Sequence, residues 1–151
     1  MKKLAIQVVF VLLTLCWMVM IFGFSAQSGE ESGGLSSIIS RPVTNAIAAW
    51  WENSDPEELY LQVDSIVRNA AHFTEYAILG FLLMMALQKF GHIHWWLPLS
   101  LGTVYAILDE WHQAYSPGRV SDPIDVLIDA CGVFCGVMIT HFIINRRGKY
   151  V

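Results

Sequence analysis

Charge is scarce in this chain. Only 15% of its 151 residues are Asp, Glu, Lys or Arg, against about a quarter in a soluble domain. The balance is acidic, with 13 carboxylates against 9 basic residues and a formal net charge of -4. The basic residues lie mostly near the chain ends and build no patch, which excludes the electrostatic footprint of a nucleic-acid binder. Cysteine is scarce too. Cys16, Cys131 and Cys135 lack the spacing of a disulfide framework. Cys131 and Cys135, four apart, are open to a soft metal, but small apolar fillers in a packed helix explain them as well. No internal repeat or low-complexity tract stands out, and nothing calls for a cofactor.

Apolar residues are abundant, at 55%. The length fits one domain, residues 1–151, and the composition is that of a membrane protein. Residues 4–24, "LAIQVVFVLLTLCWMVMIFGF", have only Gln7 and Thr14 as clearly polar members. That is long enough for a helix across a hydrocarbon core of about 20 residues. Met1-Lys2-Lys3 resembles the charged start of a signal peptide. The apolar run exceeds the usual span of about 7–15 residues, however, and bulky Phe24 would occupy the -3 position of a cut after Ala26. An uncleaved span is expected. Further spans are expected at about 72–90, 95–113 and 123–145. The third, "WWLPLSLGTVYAIL", is short unless Asp109 to Gln113 continue it; Pro98 near its start costs little there. The predicted fold is therefore all-α: a bundle of four transmembrane helices with an interfacial, helical outer loop between spans one and two.

Four spans put both termini on one side. Lys2, Lys3, Lys89, Arg146, Arg147 and Lys149 then share that side, leaving only Arg41, Arg68 and Arg119 on the other. This bias predicts a multi-pass protein of the cell membrane with both termini cytoplasmic. All 13 acidic residues then fall in the outer half. Within the outer loop, "SAQSGEESGG", residues 25–34, reads as irregular. "LSSIISRPVTNAIAAWW" follows, interrupted by Pro42, with Trp50 and Trp51 suited to an interface. It reads as interfacial or partly re-entrant, with a small soluble lid as the alternative. Asp55-Pro56-Glu57-Glu58 is a helix start, with Asp55 as cap and Glu58 at the capping-box position. From there the helical pattern is free to run into span two.

The remaining charge is concentrated in three constellations. In "RNAAHFTEY", Arg68, His72, Glu75 and Tyr76 share one helical face. In "DEWHQ", Asp109, His112 and Gln113 share a face, while Glu110 points elsewhere, toward the headgroups. In "DPIDVLID", Asp122, Asp125 and Asp129 share a face, and Asp122 before Pro123 suits an N-cap. Gly132 and Gly136 form a small-xxx-small pattern fit for close helix packing and a helix partner. Ionisable groups inside membrane segments are costly and demand partners or a polar cavity. Three readings stay open: a salt-bridge cluster that pins the bundle, a pocket for a polar head group, or a catalytic or metal site. For the last, His72, Glu75, Asp109 and His112 have suitable ligand and acid–base types, but no tight metal signature is present and no metal is assigned. Arg119, after the Pro117-Gly118 turn, is expected to fold back and bond Asp125, Asp109 or both, because its planar fork can bridge two carboxylates. His92, His94 and His141 read as ordinary loop or packed residues.

"FSAQSG", "RNAAHFTEYAILGFLL", "LDEWHQAYSPGR" and "DPIDVLIDACGVFCG" together resemble the VanZ-like family of bacterial membrane proteins over most of the chain. The resemblance implies recurring polar positions at Ser25, Gln27, His72, Tyr76, Asp109, Glu110, Gln113, Arg119 and Asp125. It departs at Asp129, where that family more often carries asparagine. It implies a cell-envelope protein, a link to low-level teicoplanin resistance, and no established reaction. With the residue reading, which adds Arg68, Glu75 and Asp129, it leads to an outer-leaflet site for a membrane lipid, a lipid-linked envelope component or a lipoglycopeptide. The alternative is an intramembrane hydrolase or transferase acting on lipid head groups, possibly metal-dependent.

Overall fold

The computed structural model describes residues 2–50, 55–88, 94–119 and 122–148. They form five helices: α1 Lys2–Ser25, α2 Gly29–Ala48, α3 Pro56–Leu87, α4 Trp96–Gln113 and α5 Pro123–Gly148. No strand occurs among the described residues. Three helices are long and apolar enough to cross a membrane: Leu4–Ser25, Pro56–Leu87 and Pro123–Arg146. The fourth expected span, α4, has 18 residues. Asp109, Glu110 and His112 at its end keep it short of that mark.

The segment between α1 and α3 departs from expectation. Residues 25–34 are not all irregular, because α2 begins at Gly29 behind a capping box. Ser28 Oγ accepts from Glu31 N at 3.2 Å, and Glu31 Oε2 accepts from Ser28 N at 2.9 Å, satisfying two end donors reciprocally. The helix then runs through Pro42. Trp50 is exposed; Trp51 lies outside the described residues, as do Lys89 and His92.

The amphipathicity of α2 is inverted. Ser36, Ser40 and Thr44 are buried, while Leu35, Ile38, Ile39, Val43 and Ile47 face out. Inside, Asp64 of α3 receives both serines, Ser36 Oγ at 2.6 Å and Ser40 Oγ at 2.8 Å. A helix that hides hydroxyls and presents Leu and Ile outward suits lipid rather than water around it.

At Asp55, the side chain accepts from Glu57 N at 2.9 Å and Pro56 opens the first turn. Glu58 is not part of the cap; it accepts from Gln62 Nε2 at 3.4 Å. α3 then continues unbroken for 32 residues, about 48 Å at the usual rise. α5 lies along it in parallel. A Cβ on Gly132 would meet Phe73 O, one on Gly136 would meet Ala77 O, and one on Gly80 would meet Val133 O. These three glycines set the spacing of the pair, with Gly132 and Gly136 occupied by α3 of the same chain. Around the seam, Ile21, Tyr76, Leu79, Met84, Ala106, Val133 and Val137 form the core. Of the two cysteines read as packed fillers, Cys131 is exposed and Cys135 partly buried; Cys16 is exposed too, and all three are free.

Candidate functional site

The polar groups gather at one end of the bundle, where α1 and α4 finish and α5 starts. Two side-chain bonds fasten α1 there. Trp17 Nε1 donates to Glu75 O at 2.9 Å, and Tyr105 Oη donates to Met18 O at 2.6 Å. At the end of α1, Ser25 Oγ donates to the Asp109 carbonyl at 3.4 Å, and Ser116 Oγ donates to Ser25 O at 3.1 Å.

Asp109 is 4% exposed. Its Oδ2 accepts from the fully buried Tyr76 Oη at 3.1 Å, while Oδ1 has no hydrogen-bond partner among the described residues. Asp129, 1% exposed, brings Oδ1 to 3.4 Å from His72 Nδ1. This is ion-pair range, though not aligned as a hydrogen bond. Glu110 does not face the headgroups. It is buried, and its Oε1 accepts from Asp122 N at 2.7 Å. Asp122 in turn caps α5, accepting from Ile124 N at 2.9 Å. Each buried acid therefore meets a group from another element, as low-dielectric surroundings require.

Arg119 departs from expectation. Among the described residues it forms an ion pair with neither Asp109 nor Asp125. Its turn is tied elsewhere: Gly29 N donates to Pro117 O at 2.9 Å, and a Cβ on Gly29 would run into Gly118 O. Gly118 adopts φ +73°, a left-handed conformation that glycine accepts without cost. Arg119 thus hangs from the contact of two backbones. Burial and the nearby Arg68 lower its pKa from the ordinary value, against the opposing pull of Glu110, Asp109 and Asp125. Arg68 is held instead by Asp64, with Nε 3.2 Å from Oδ2.

Two cavities flank these groups. The first, about 210 Å³, has polar residues Ser25, Gln27, Arg68, His72, Glu75, Asp109 and Arg119 beside apolar Ile21, Phe24, Leu35, Ile39 and Val67. The second, about 570 Å³, is lined by Ser65, Arg68, Asn69, His72, Gln113, Arg119, Asp122 and Asp125. Arg68, His72 and Arg119 line both. Gln113 is 4% exposed, and its Oε1 lacks a partner. Tyr76, Glu110 and Asp129 stand behind the walls and hold other groups in place.

His112 is the sequence candidate that goes elsewhere. Its ring packs on Phe22 of α1, centroids 4.1 Å apart, and it lines neither cavity. No group of three His, Cys, Asp or Glu residues among the described residues is placed to hold a metal ion, so His72, Glu75, Asp109 and His112 do not assemble as a ligand set. Sequence reasoning missed the clamp of Ser36, Ser40 and Asp64. Its signal was there in the i, i+4, i+8 spacing of Ser36, Ser40 and Thr44 and the i, i+4 spacing of Asp64 and Arg68.

A family model described as VanZ/LLP1 matches residues 10–144. The chain belongs to the VanZ/LLP1 family. No curated protein and no solved structure matches it. The polar positions that the VanZ resemblance implies all lie at this end of the bundle, either on a cavity wall or directly behind one. Asp129 places a carboxylate against His72.

Proposed function

We propose that this VanZ-family protein crosses the cell membrane four times, with both termini cytoplasmic, and offers the two-cavity site to the outer leaflet. There it binds a lipid-linked envelope component or a lipoglycopeptide and contributes to glycopeptide resistance of the teicoplanin type. The observation that carries this reading is the first cavity, whose lining combines charged groups with Phe24, Leu35, Ile39 and Val67. An amphiphile needs both kinds of wall. The lipid-suited outer face of α2 supports the same placement. For α4, the buried partners of Asp109 and Glu110 offset what its polar end would otherwise cost in a membrane.

The test is expression in a susceptible Gram-positive host, comparing teicoplanin, which carries an acyl tail, with vancomycin, which does not. The expected result is a raised inhibitory concentration for teicoplanin alone, lost in Leu35→Asp. Unchanged susceptibility to both drugs would sink the resistance reading. One observation favours a second reading, a hydrolase or transferase of lipid head groups. His72 lies on both cavities with Asp129 behind it, an arrangement suited to acid–base work. Turnover of labelled envelope lipids by the purified protein, lost in His72→Gln, would establish that reading; binding without turnover supports the first.

A further inference from the structure

The two cavities differ in character, and the three side chains they share are all basic or can become so. The first has the apolar wall. The second is more than twice as large and lined mostly by polar residues, alongside Gly29, Gly118 and Ile124. Arg68, His72 and Arg119 belong to both linings and so stand where the cavities meet. We propose that the site takes a phosphate-linked lipid: tail in the first cavity, phosphate at the divide, and polar head in the second. This inference rests on the amphiphile reading given above and names its chemical class.

The three cationic groups are not equally free. Arg68 is anchored by Asp64, and His72 lies beside Asp129. Arg119 has no ion pair among the described residues, although four carboxylates line the same two cavities. A half-buried guanidinium held by its backbone and left without a carboxylate has donors to spare. Its planar fork matches phosphate oxygens in a two-pronged hydrogen bond. The carboxylates sharpen the position. Glu75 and Asp109 in the first cavity, and Asp122 and Asp125 in the second, disfavour an anion on either side. The divide is the one stretch where a phosphate meets cations.

Gln113 adds a further polar side chain to the lining of the second cavity. Its Oε1 is buried and without a partner. A buried acceptor left unmade is costly. The apolar wall then sets the order of binding. A free phosphate gains nothing from Phe24, Leu35 or Ile39, whereas a lipid phosphate does.

The experiment uses the full chain in non-ionic detergent and two lipids of identical tails, dioleoyl phosphatidate and dioleoylglycerol, with inorganic phosphate as competitor. Dissociation constants are read by titration. Phosphatidate is expected to bind about tenfold to a hundredfold more tightly than dioleoylglycerol, the range that one charge-assisted hydrogen bond or more supplies. Inorganic phosphate at millimolar concentration leaves it bound. Arg119→Gln removes most of the preference, read as the ratio of the two dissociation constants in the same variant, and Arg119→Lys retains part of it. Equal binding of the two lipids overturns this inference but leaves the amphiphile reading intact. Absence of binding by either lipid overturns both. Displacement by inorganic phosphate overturns the lipid source, and a preference that persists in Arg119→Gln overturns the assigned residue. The comparison of two lipids on the unaltered chain decides the matter even where the variant fails to fold.

Discussion

Replacing Asp64 with alanine should undock α2 while leaving the rest of the bundle folded. Asp64 is 6% exposed. It receives hydrogen bonds from Ser36 at 2.6 Å and Ser40 at 2.8 Å and faces Arg68 at 3.2 Å. A hydrogen bond to a charged group contributes about 1.5–3 kcal/mol. The pair with Arg68, whose side chain is 50% exposed, adds about 0.3–0.5 kcal/mol. Both serines keep a second acceptor, Ser36 on Gly33 O at 3.1 Å and Ser40 on Ser36 O at 2.9 Å. No hydroxyl is orphaned, so the loss stays at the low end, about 3 kcal/mol. α2 packs chiefly on α3, so the loss falls on its docking. About 3 kcal/mol corresponds to roughly a hundredfold in an opening equilibrium. Hydrogen exchange should therefore speed up about a hundredfold across α2, with α3 and α5 nearly unchanged. Adding Ser36→Ala and Ser40→Ala to Asp64→Ala should change little more. Unaltered protection of α2, or equal loss in α3 and α5, would refute the clamp.

Gly136→Ala should cost about 1–3 kcal/mol, because its Cβ meets the Ala77 carbonyl in the packed α3–α5 seam; a lower thermal midpoint in detergent is the readout. Arg119→Ala and Asp125→Asn should couple by only about 1 kcal/mol or less in a double-mutant cycle, since they share the second cavity without an ion pair; coupling of about 3 kcal/mol or more, as for a closed buried pair, would restore the pairing expected from sequence. Glu31 predicts a pH effect. Hydrogen bonds from Ser28 N and Oγ lower its pKa from the ordinary value, so its support of the α2 start is present above the unfolded-state pKa and fades as pH falls through the folded-state one. Exchange of the first α2 amides should rise as the solution is acidified, and Glu31→Gln should remove that dependence.

The legibility of the chain varied with how local the cause was. Asp55-Pro56 marks the start of α3, because capping acts within one turn. The same logic was available for α2, where Ser28 and Glu31 stand three apart. It was obscured by Gly33, Gly34 and Pro42, which read as breaks, and by serines on the side of α2 that turned out to be inside. Helical spacing put Asp109, His112 and Gln113 on one broad face. It does not tell which neighbour each meets, and His112 meets Phe22 of α1. Glu110 and Arg119 were misread for a related reason. Each is placed by a backbone contact distant in sequence, Glu110 by Asp122 N and Arg119 by the approach of Gly29 to Gly118.

The opposition between a salt-bridge cluster and a pocket now has a sharper form. A purely structural cluster would pair its charges with one another. Asp64, Asp109, Glu110 and Asp129 behave this way, each met by a hydroxyl, a backbone N–H, a histidine or an arginine. All four are buried. Glu75, Asp125 and Arg119 do not. None of their charged side-chain groups has a hydrogen-bond or ion-pair partner among the described residues, yet Glu75 and Arg119 line the first cavity together, and Asp125 and Arg119 the second. Opposite charges that share a cavity without closing on each other leave part of their desolvation uncompensated. Stability alone gives no reason to retain them. The paired acids account for the architecture of this end of the bundle, and the unpaired three argue for a ligand.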